Sequence, residues 1–323
     1  MDPRVSVICL CYNHANFVEE ALLSVISQTY ENIEIIVVDD ASTDGSREVI
    51  KNVARRHPWL QLHLLESNKG NCGAFNTGFR ASTGDYIIDF ATDDRMLPGH
   101  VDRLVGHFKK LPRNMGVLYT DACYINREGQ ITRAFYRRDK EGNITHPVIA
   151  EGNVFKEVVR RYFICTPTMM IRREVLERLG GYDESLAFED FDFWVRSARD
   201  WGYRFLDYRG IHVRRTSGSM SRQQYRPGDR QLATTCKVLD KAWGLSENEE
   251  EREAVRSRIR YEYMLAVMTD NTYEAAQLME LLETTDGLGL RQRLLRLVSL
   301  VPVQKAWIRR SYQKVSHTIR MLK

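Results

Sequence analysis

The chain has 323 residues, of which 43% are hydrophobic and 28% charged, and its formal net charge is +4. That suits one large domain with an extension, or two domains, of an ordinary soluble globular protein. So mild a charge gives no ground for a nucleic-acid partner. No stretch approaches the roughly 18–20 uncharged residues needed to span a bilayer. The longest candidate, Leu288 to Val303, is interrupted by arginines. The apolar run Val5 to Cys11 is too short for a signal peptide and is preceded by Asp2. Six cysteines (9, 11, 72, 123, 165 and 236) form no CxxC pair. Free thiols and a cytoplasmic location are therefore expected.

Val5 to Leu10 is an apolar, β-branched run and predicts a buried strand. Tyr12-Asn13-His14 turns the chain. Asn16 is placed to cap the next helix, with Glu19 three residues on, and Val18, Leu22, Val25 and Ile26 form its apolar face. Ile33 to Val38 predicts a second strand ending in Asp39-Asp40. Ser42 to Gly45 reads as a turn and cap before a helix through Val49, Ile50 and Val53. Leu60 to Leu65 is a third strand, and Asn68-Lys69-Gly70 turns into a helix through Phe75 and Phe79. Asp85 to Phe90 is a fourth strand and runs out into Asp93-Asp94. Near-continuous apolar strands alternating with amphipathic helices imply a parallel sheet covered on both faces.

Further on, Pro98 to Leu111 predicts a helix and Gly116 to Ile125 a strand, with a hairpin turn at Asn126 to Gly129. Arg133 to Pro147 is polar and predicts a loop near the site. Met169 to Ile171 is a short strand, and a helix from about Arg173 ends at Gly180-Gly181. Glu189-Asp190 opens another helix. Tyr203 to Tyr208 and Ile211 to Arg215 predict two strands, and from Gln231 onward the pattern is helical. This divides the chain into 1–226, with halves 1–115 and 116–226, and a helical, basic extension 227–323.

Ligands in such sheets sit beyond the carboxyl ends of the strands. Tyr12, Asp40, Asn68 and Asp93/Asp94 all fall there. Two adjacent carboxylates at a strand end repel each other, and a hard divalent cation relieves that repulsion. A cap for the helix near Pro98 would explain one of these acids but not both. Asp40 could accept from the imide N–H of a pyrimidine base or cap the following helix. Glu189-Asp190 at a helix N-terminus suits either a general base or a plain N-terminal acid. His212 could be a ligand or base, though a lone strand histidine is more often structural. Gly-rich dinucleotide and P-loop motifs are absent; Gly287-Leu-Gly289 reads as a helix break.

Val5 to Asn13 (VSVICLCYN), Val37 to Ser46 (VVDDASTDGS), Asn68 to Gly84 (NKGNCGAFNTGFRASTG), Thr92-Asp93-Asp94 and Glu189-Asp190 together resemble the family 2 inverting glycosyltransferases. The match is to the SpsA-like members with the GT-A fold, over about residues 4–221. That resemblance implies an α/β Rossmann-like, mostly parallel sheet flanked by helices, a nucleotide-sugar donor and a divalent ion, Mn²⁺ or Mg²⁺. UDP is the default nucleotide by family frequency. Tyr12 matches the tyrosine that stacks on the base, Asp40 the aspartate that binds uracil and Asp93 the acid near the ribose. Asp94 matches the metal ligand and Asp190 the catalytic base, with Glu189 its neighbour and Arg196 following on that helix. Leu10, Asn68, Lys69 and Asn76 complete the nucleotide-binding candidates.

The family pattern is not complete here. Ala91 stands where many members carry a further Asp, the shorter form shared by the SpsA-like subset. Arg214 and Gly218-Ser219-Met220-Ser221 fit an Arg-x-His…Gly-Ser-x-Ser pattern, but Thr216 replaces the histidine. The stretch 288–323 combines Leu294, Leu295, Trp307 and Ile308 with many cations and no acid. It is expected to lie on an anionic membrane surface, which suits a glycan or lipid-linked acceptor on the cytoplasmic face. A solvated extension or a homo-oligomer contact is the other reading of it. The competing functions are a sugar nucleotidyltransferase and an inactive nucleotide-binding scaffold. The first lacks its Gly-rich loop after strand one, and the second is disfavoured by the presence of both Asp94 and Asp190.

Overall fold

In a computed structural model, the structure describes residues 2–216, 225, 228 and 230–285. The stretch 288–323, Gly287-Leu-Gly289 and Gly218 to Ser221 lie outside the described residues. Two compact units are present. One takes in Met1–Val154 and Phe163–Ser217; the other joins Phe155–Tyr162 to the C-terminal helices. The sequence pattern places that short segment in the first domain.

The first unit opens with β1 (Val5–Cys11), α1 (Val18–Ile26), β2 (Ile33–Asp39), α2 (Ser46–Arg56), β3 (Gln61–Leu64), α3 (Gly70–Ala81) and β4 (Tyr86–Ala91). These strands pair in parallel in the order β3-β2-β1-β4. β1 is buried along its whole length, which its β-branched run requires. Alternate residues of β1 and β4, among them Val7, Cys9, Ile88 and Phe90, join one core with Leu22 and Val25 of α1. The opposite face carries Ile8 and Val38. There α3 comes so close that a Cβ at Gly78 would lie 2.5 Å from Ile8 Cγ2, a contact only glycine permits.

The chain then forms β5 (Arg95–Met96), α4 (His100–Phe108), β6 (Met115–Ile125), β7 (Ile131–Ala134), β8 (Arg137–Arg138) and β9 (Ile144–His146). After α5 (Phe155–Arg160) come β10 (Met170–Arg172), α6 (Arg173–Leu179), α7 (Asp190–Ser197) and β11 (Gly202–Arg214). β10 lies antiparallel between β4 and β6, β11 lies parallel on β6, and β5 is antiparallel to β11. The predicted α/β sheet flanked by helices is therefore present, parallel in its first half and mixed in its second.

Three local expectations change. The polar stretch 133–147 is not all loop: β8 and β9 pair as a ribbon. Its anchor is the buried Asp121, which accepts from Tyr136 N and Arg138 Nη2, both at 3.2 Å. The two strands expected at 203–215 are one strand, β11, with register shifts near Leu206 and Arg209. Asn16 does not cap α1; the His14 carbonyl accepts from Phe17 N and Val18 N instead, at 2.8 and 2.9 Å.

The second unit holds α5, α8 (Arg230–Leu245), α9 (Glu249–Met268) and α10 (Thr272–Thr285). Asn248 caps α9 by accepting from Glu251 N at 3.0 Å. A buried pair, Arg258 Nε to Glu262 Oε1 at 2.7 Å, lies within it. Among the described residues, no helix is long and apolar enough to cross a membrane. All six cysteines are free and buried.

Candidate active site

Tyr12 follows β1 and is 47% exposed. Its turn is fixed from α2's side of the sheet. Asn13 Oδ1 accepts from Thr43 N at 2.8 Å, His14 N donates to Ser46 Oγ at 2.9 Å and Ala15 N to Asp44 Oδ2 at 2.9 Å. Asn13 and Ala41 both hold positive φ, 58° and 60°. For alanine that region costs about 1 kcal/mol or more, so the backbone beside Tyr12 and Asp40 is held there by its surroundings.

Asp39 and Asp40 divide the work at the end of β2. Asp39 Oδ2 accepts from Ser42 N at 3.1 Å and from Arg47 Nε at 2.6 Å. Asp40 caps no part of α2, whose N-cap is Gly45. Its Oδ1 accepts from Lys69 N at 2.6 Å instead. Burial pushes its carboxyl above the usual range, and the backbone bonds at Lys69 and Gly70 oppose that shift. Asn68 shapes the same turn: Nδ2 donates to Asp40 O at 3.2 Å and Oδ1 accepts from Gly70 N at 3.0 Å. The Lys69 side chain is exposed.

Asn76 makes its contacts to the loop before α7. It is buried in α3 with both amide protons engaged, on Tyr182 O at 2.8 Å and Glu184 Oε1 at 2.9 Å. Its Oδ1 accepts from Tyr182 N at 2.9 Å. A Cβ at Gly181, where φ is +84°, would lie 2.5 Å from that oxygen. Asn76 therefore shapes the loop before α7, with no amide proton left for a nucleotide. Leu10 is buried, and its carbonyl accepts from Thr92 N and Thr92 Oγ1, both at 2.9 Å.

Asp93 and Asp94 lie past the end of β4. Neither caps α4, whose N-cap is Gly99 with no side-chain bond. Asp94 is 3% exposed and accepts from Arg214 N at 2.8 Å through Oδ1. Burial and the Asp93 carboxylate push it well above the usual carboxylate range. Arg214 is itself buried. Nε donates to Asp93 O at 2.8 Å, Nη1 to Asn126 O at 3.1 Å and Arg127 O at 2.8 Å, and Nη2 to Glu20 Oε2 at 2.6 Å. Asp93 and Asp94 offer oxygen ligands of the kind a hard divalent ion takes, and a cation there relieves the repulsion that raises Asp94. Among the described residues, no group of three or more His, Cys, Asp or Glu could hold a metal. An ion would thus share its remaining positions with a ligand. His212 Nδ1 pairs with Arg95 Nη2 at 2.7 Å.

Glu189 and Asp190 begin α7, and Glu189, at the N-cap, makes no side-chain cap bond. Glu189 Oε2 accepts from Asn71 Nδ2 of α3. Asp190 Oδ1 is buried without a hydrogen-bond partner. Burial, Glu189 and Asp89 push the Asp190 carboxyl well above the usual range; a bond from Thr166 acts the other way. Arg196 does not approach the pair as a partner. It ties α7 to the preceding turn through Asp192 Oδ2 at 2.6 Å, Leu179 O at 2.9 Å and Gly181 O at 3.0 Å.

A family model described as Glycosyl transferase family 2 matches residues 6–180, more than half of the chain. The chain belongs to this family. Among curated relatives, an uncharacterised glycosyltransferase of Nostoc sp. is 32% identical over 177 residues, covering 54% of this chain and 53% of that protein. The match thus spans about half the length of that relative. Glycosyltransferase AglE of Haloferax volcanii is 26% identical over 235 residues, 71% of this chain and 73% of that protein. Among solved structures, S. aureus TarS 1–349 in complex with UDP-GlcNAc has a TM-score of 0.66 at 15% identity, covering 90% of this chain and 83% of that one. The mannosyltransferase PcManGT of Pyrobaculum calidifontis, in complex with GDP-Man and Mn²⁺, has a TM-score of 0.56 at 21% identity, covering 97% and 85%.

This member of the glycosyltransferase family accordingly has the expected GT-A fold. Sequence reasoning gave no role to Asn71 or Asp89 and did not foresee the contacts of Arg214. Asn71 acts through a partner 118 positions away, which no local pattern signals; Arg214 fits a family pattern, but nothing local signals its bond to Asp94, 120 positions away. Asp89 did carry a signal, an acid in the middle of an otherwise apolar strand.

Proposed function

We propose that this glycosyltransferase moves a sugar from a nucleotide-sugar donor, by default a UDP-sugar, to a hydroxyl of a glycan or lipid-linked acceptor with inversion. The observation that carries the reading is a pair of separate carboxyls, Asp94, buried after β4, and Asp190, half-buried at the start of α7 with its Oδ1 enclosed and unpartnered; burial pushes both above the usual carboxylate range. Raised pKa values at positions from which both could meet a ligand mark candidate acid–base and cation-binding groups. Tyr12 offers an exposed ring for a base, and Asp40 a buried carboxyl for its imide. Asp93 serves the ribose, and Lys69 carries an exposed ammonium at the same edge.

Asp190, once ionised, takes the proton of the acceptor hydroxyl. The acceptor oxygen forms a bond to the anomeric carbon from the face opposite the nucleotide. The bond from that carbon to the diphosphate oxygen breaks, and its electron pair leaves with the nucleotide. A single displacement needs one base on the acceptor side, which fits one Glu-Asp pair. Asp94, with Asp93, would hold a divalent ion, which supplies neutralisation of the diphosphate charge when bound.

The test is a screen of sugar nucleotides with the full chain, read by mass spectrometry for hydrolysis and transfer and by NMR for anomeric configuration. Transfer with inverted configuration is expected. A retained configuration, or no turnover of any donor, overturns the reading.

A further inference from the structure

Asp89 is a carboxyl that the proposed reaction does not use. It stands in the middle of β4 beside Ile8 of β1, while its chain neighbours Ile88 and Phe90 face the opposite core. Asp89 therefore lies on the face that α3 covers and is half-buried there, so its carboxylate is partly stripped of water. Other elements bring polar groups to it. Tyr182, 3% exposed and stacked on Phe75 of α3 at 4.0 Å, faces Asp89 with a hydroxyl that makes no hydrogen bond of normal geometry. α7 brings Glu189 and Asp190, and Asp190 Oδ1 likewise lacks a partner. α3 brings Asn71, already donating to Glu189. A buried donor without an acceptor and a buried acceptor without a donor thus meet around three carboxyls.

We propose that Asp89 is a positioning residue for the base: faced by the Tyr182 hydroxyl, it shares a proton with the Glu189–Asp190 pair and sets the pH above which Asp190 can deprotonate the acceptor. This rests on Asp190 being the base. The titratable groups that face the cluster are Cys9 from β1, Cys72 from α3, Tyr182 and Asp183 from the preceding loop, and Glu189, Asp190 and Asp192 from α7. Each is neutral or acidic, so a proton is what relieves their repulsion. Burial and Glu189 push Asp89 well above the usual range, and Asp89 in turn raises Asp190.

The test is Asp89→Asn in the full chain with two readouts. In the pH profile of kcat/KM for transfer, the acid limb should move to lower pH by about one unit, the scale of removing one like charge. In a ¹³C-detected titration of Asp and Glu side chains, which needs no donor, the most weakly acidic carboxyl should disappear and a second should become more acidic. Asp89→Ser, small and neutral, gives the same reading should the amide variant fail to fold. An unmoved acid limb, or a titration in which the remaining carboxyls keep their wild-type pKa values, overturns the proposal. Wild-type chain that turns over no donor would instead overturn the functional reading, and the titration still decides the role of Asp89.

Discussion

The main-chain N–H of Arg214 donates to Asp94 Oδ1 at 2.8 Å, and the guanidinium of the same residue donates to the Asp93 carbonyl at 2.8 Å. One residue at the end of β11 thus fixes both acids after β4. The same guanidinium gathers the Asn126 and Arg127 carbonyls and lies over the Phe17 ring, its Cζ 4.6 Å from the centroid. Replacing it by Met leaves three carbonyls without their donor. A loss of about 3 kcal/mol is expected, or roughly 8 °C in thermal midpoint. Calorimetry checks this, and an unchanged midpoint contradicts it.

Asp94 should make stability fall as pH rises. Its folded carboxyl keeps a proton after the unfolded one has lost it, so the native state binds more protons and ionisation favours unfolding. The loss begins near the ordinary carboxylate pKa of about 4 and continues up to the raised value. Asp94→Asn should flatten this slope, read by urea denaturation without divalent ions at about pH 5 and about pH 8. It should also abolish any Mn²⁺-dependent thermal shift with UDP. A slope and a shift equal to wild type would count against the assignment.

Asn71→Ala removes the donor on Glu189. Stability should change by about 1 kcal/mol, while kcat for transfer falls on the order of tenfold through misplacement of the acid pair. The donor KM should stay as it is. A raised KM with normal kcat would place Asn71 in donor binding instead.

Asn76→Ala should destabilise by about 2 kcal/mol, because the Tyr182 backbone loses a donor and an acceptor in a buried place. UDP affinity of the folded variant should match wild type. Weakened UDP binding at full stability would restore Asn76 to the nucleotide site.

The alternating strands and helices up to β4 were legible because each satisfies its hydrophobic period locally. The positions of Asp40, Asp93 and Asp94 followed from strand ends. Other features depend on partners distant in sequence. Asn76 sits in a stretch that matches a family motif, while its amide is engaged by the Tyr182 loop, 106 positions on. β8 and β9 are two and three residues long and polar, so no apolar alternation announced them. The capping alternatives for Asp40 and Asp94 could not be dismissed from spacing; they fall because α2 and α4 begin at Gly45 and Gly99 with no side-chain cap.

The most direct test of the central claim compares Asp190→Asn with wild type, using the donor and acceptor that the screen identifies. Transfer rate and nucleotide binding are measured on the same preparations. Nucleotide binding should persist while transfer falls by roughly 10²-fold or more, the usual contribution of a positioned base. Near-normal transfer by Asp190→Asn would contradict the account.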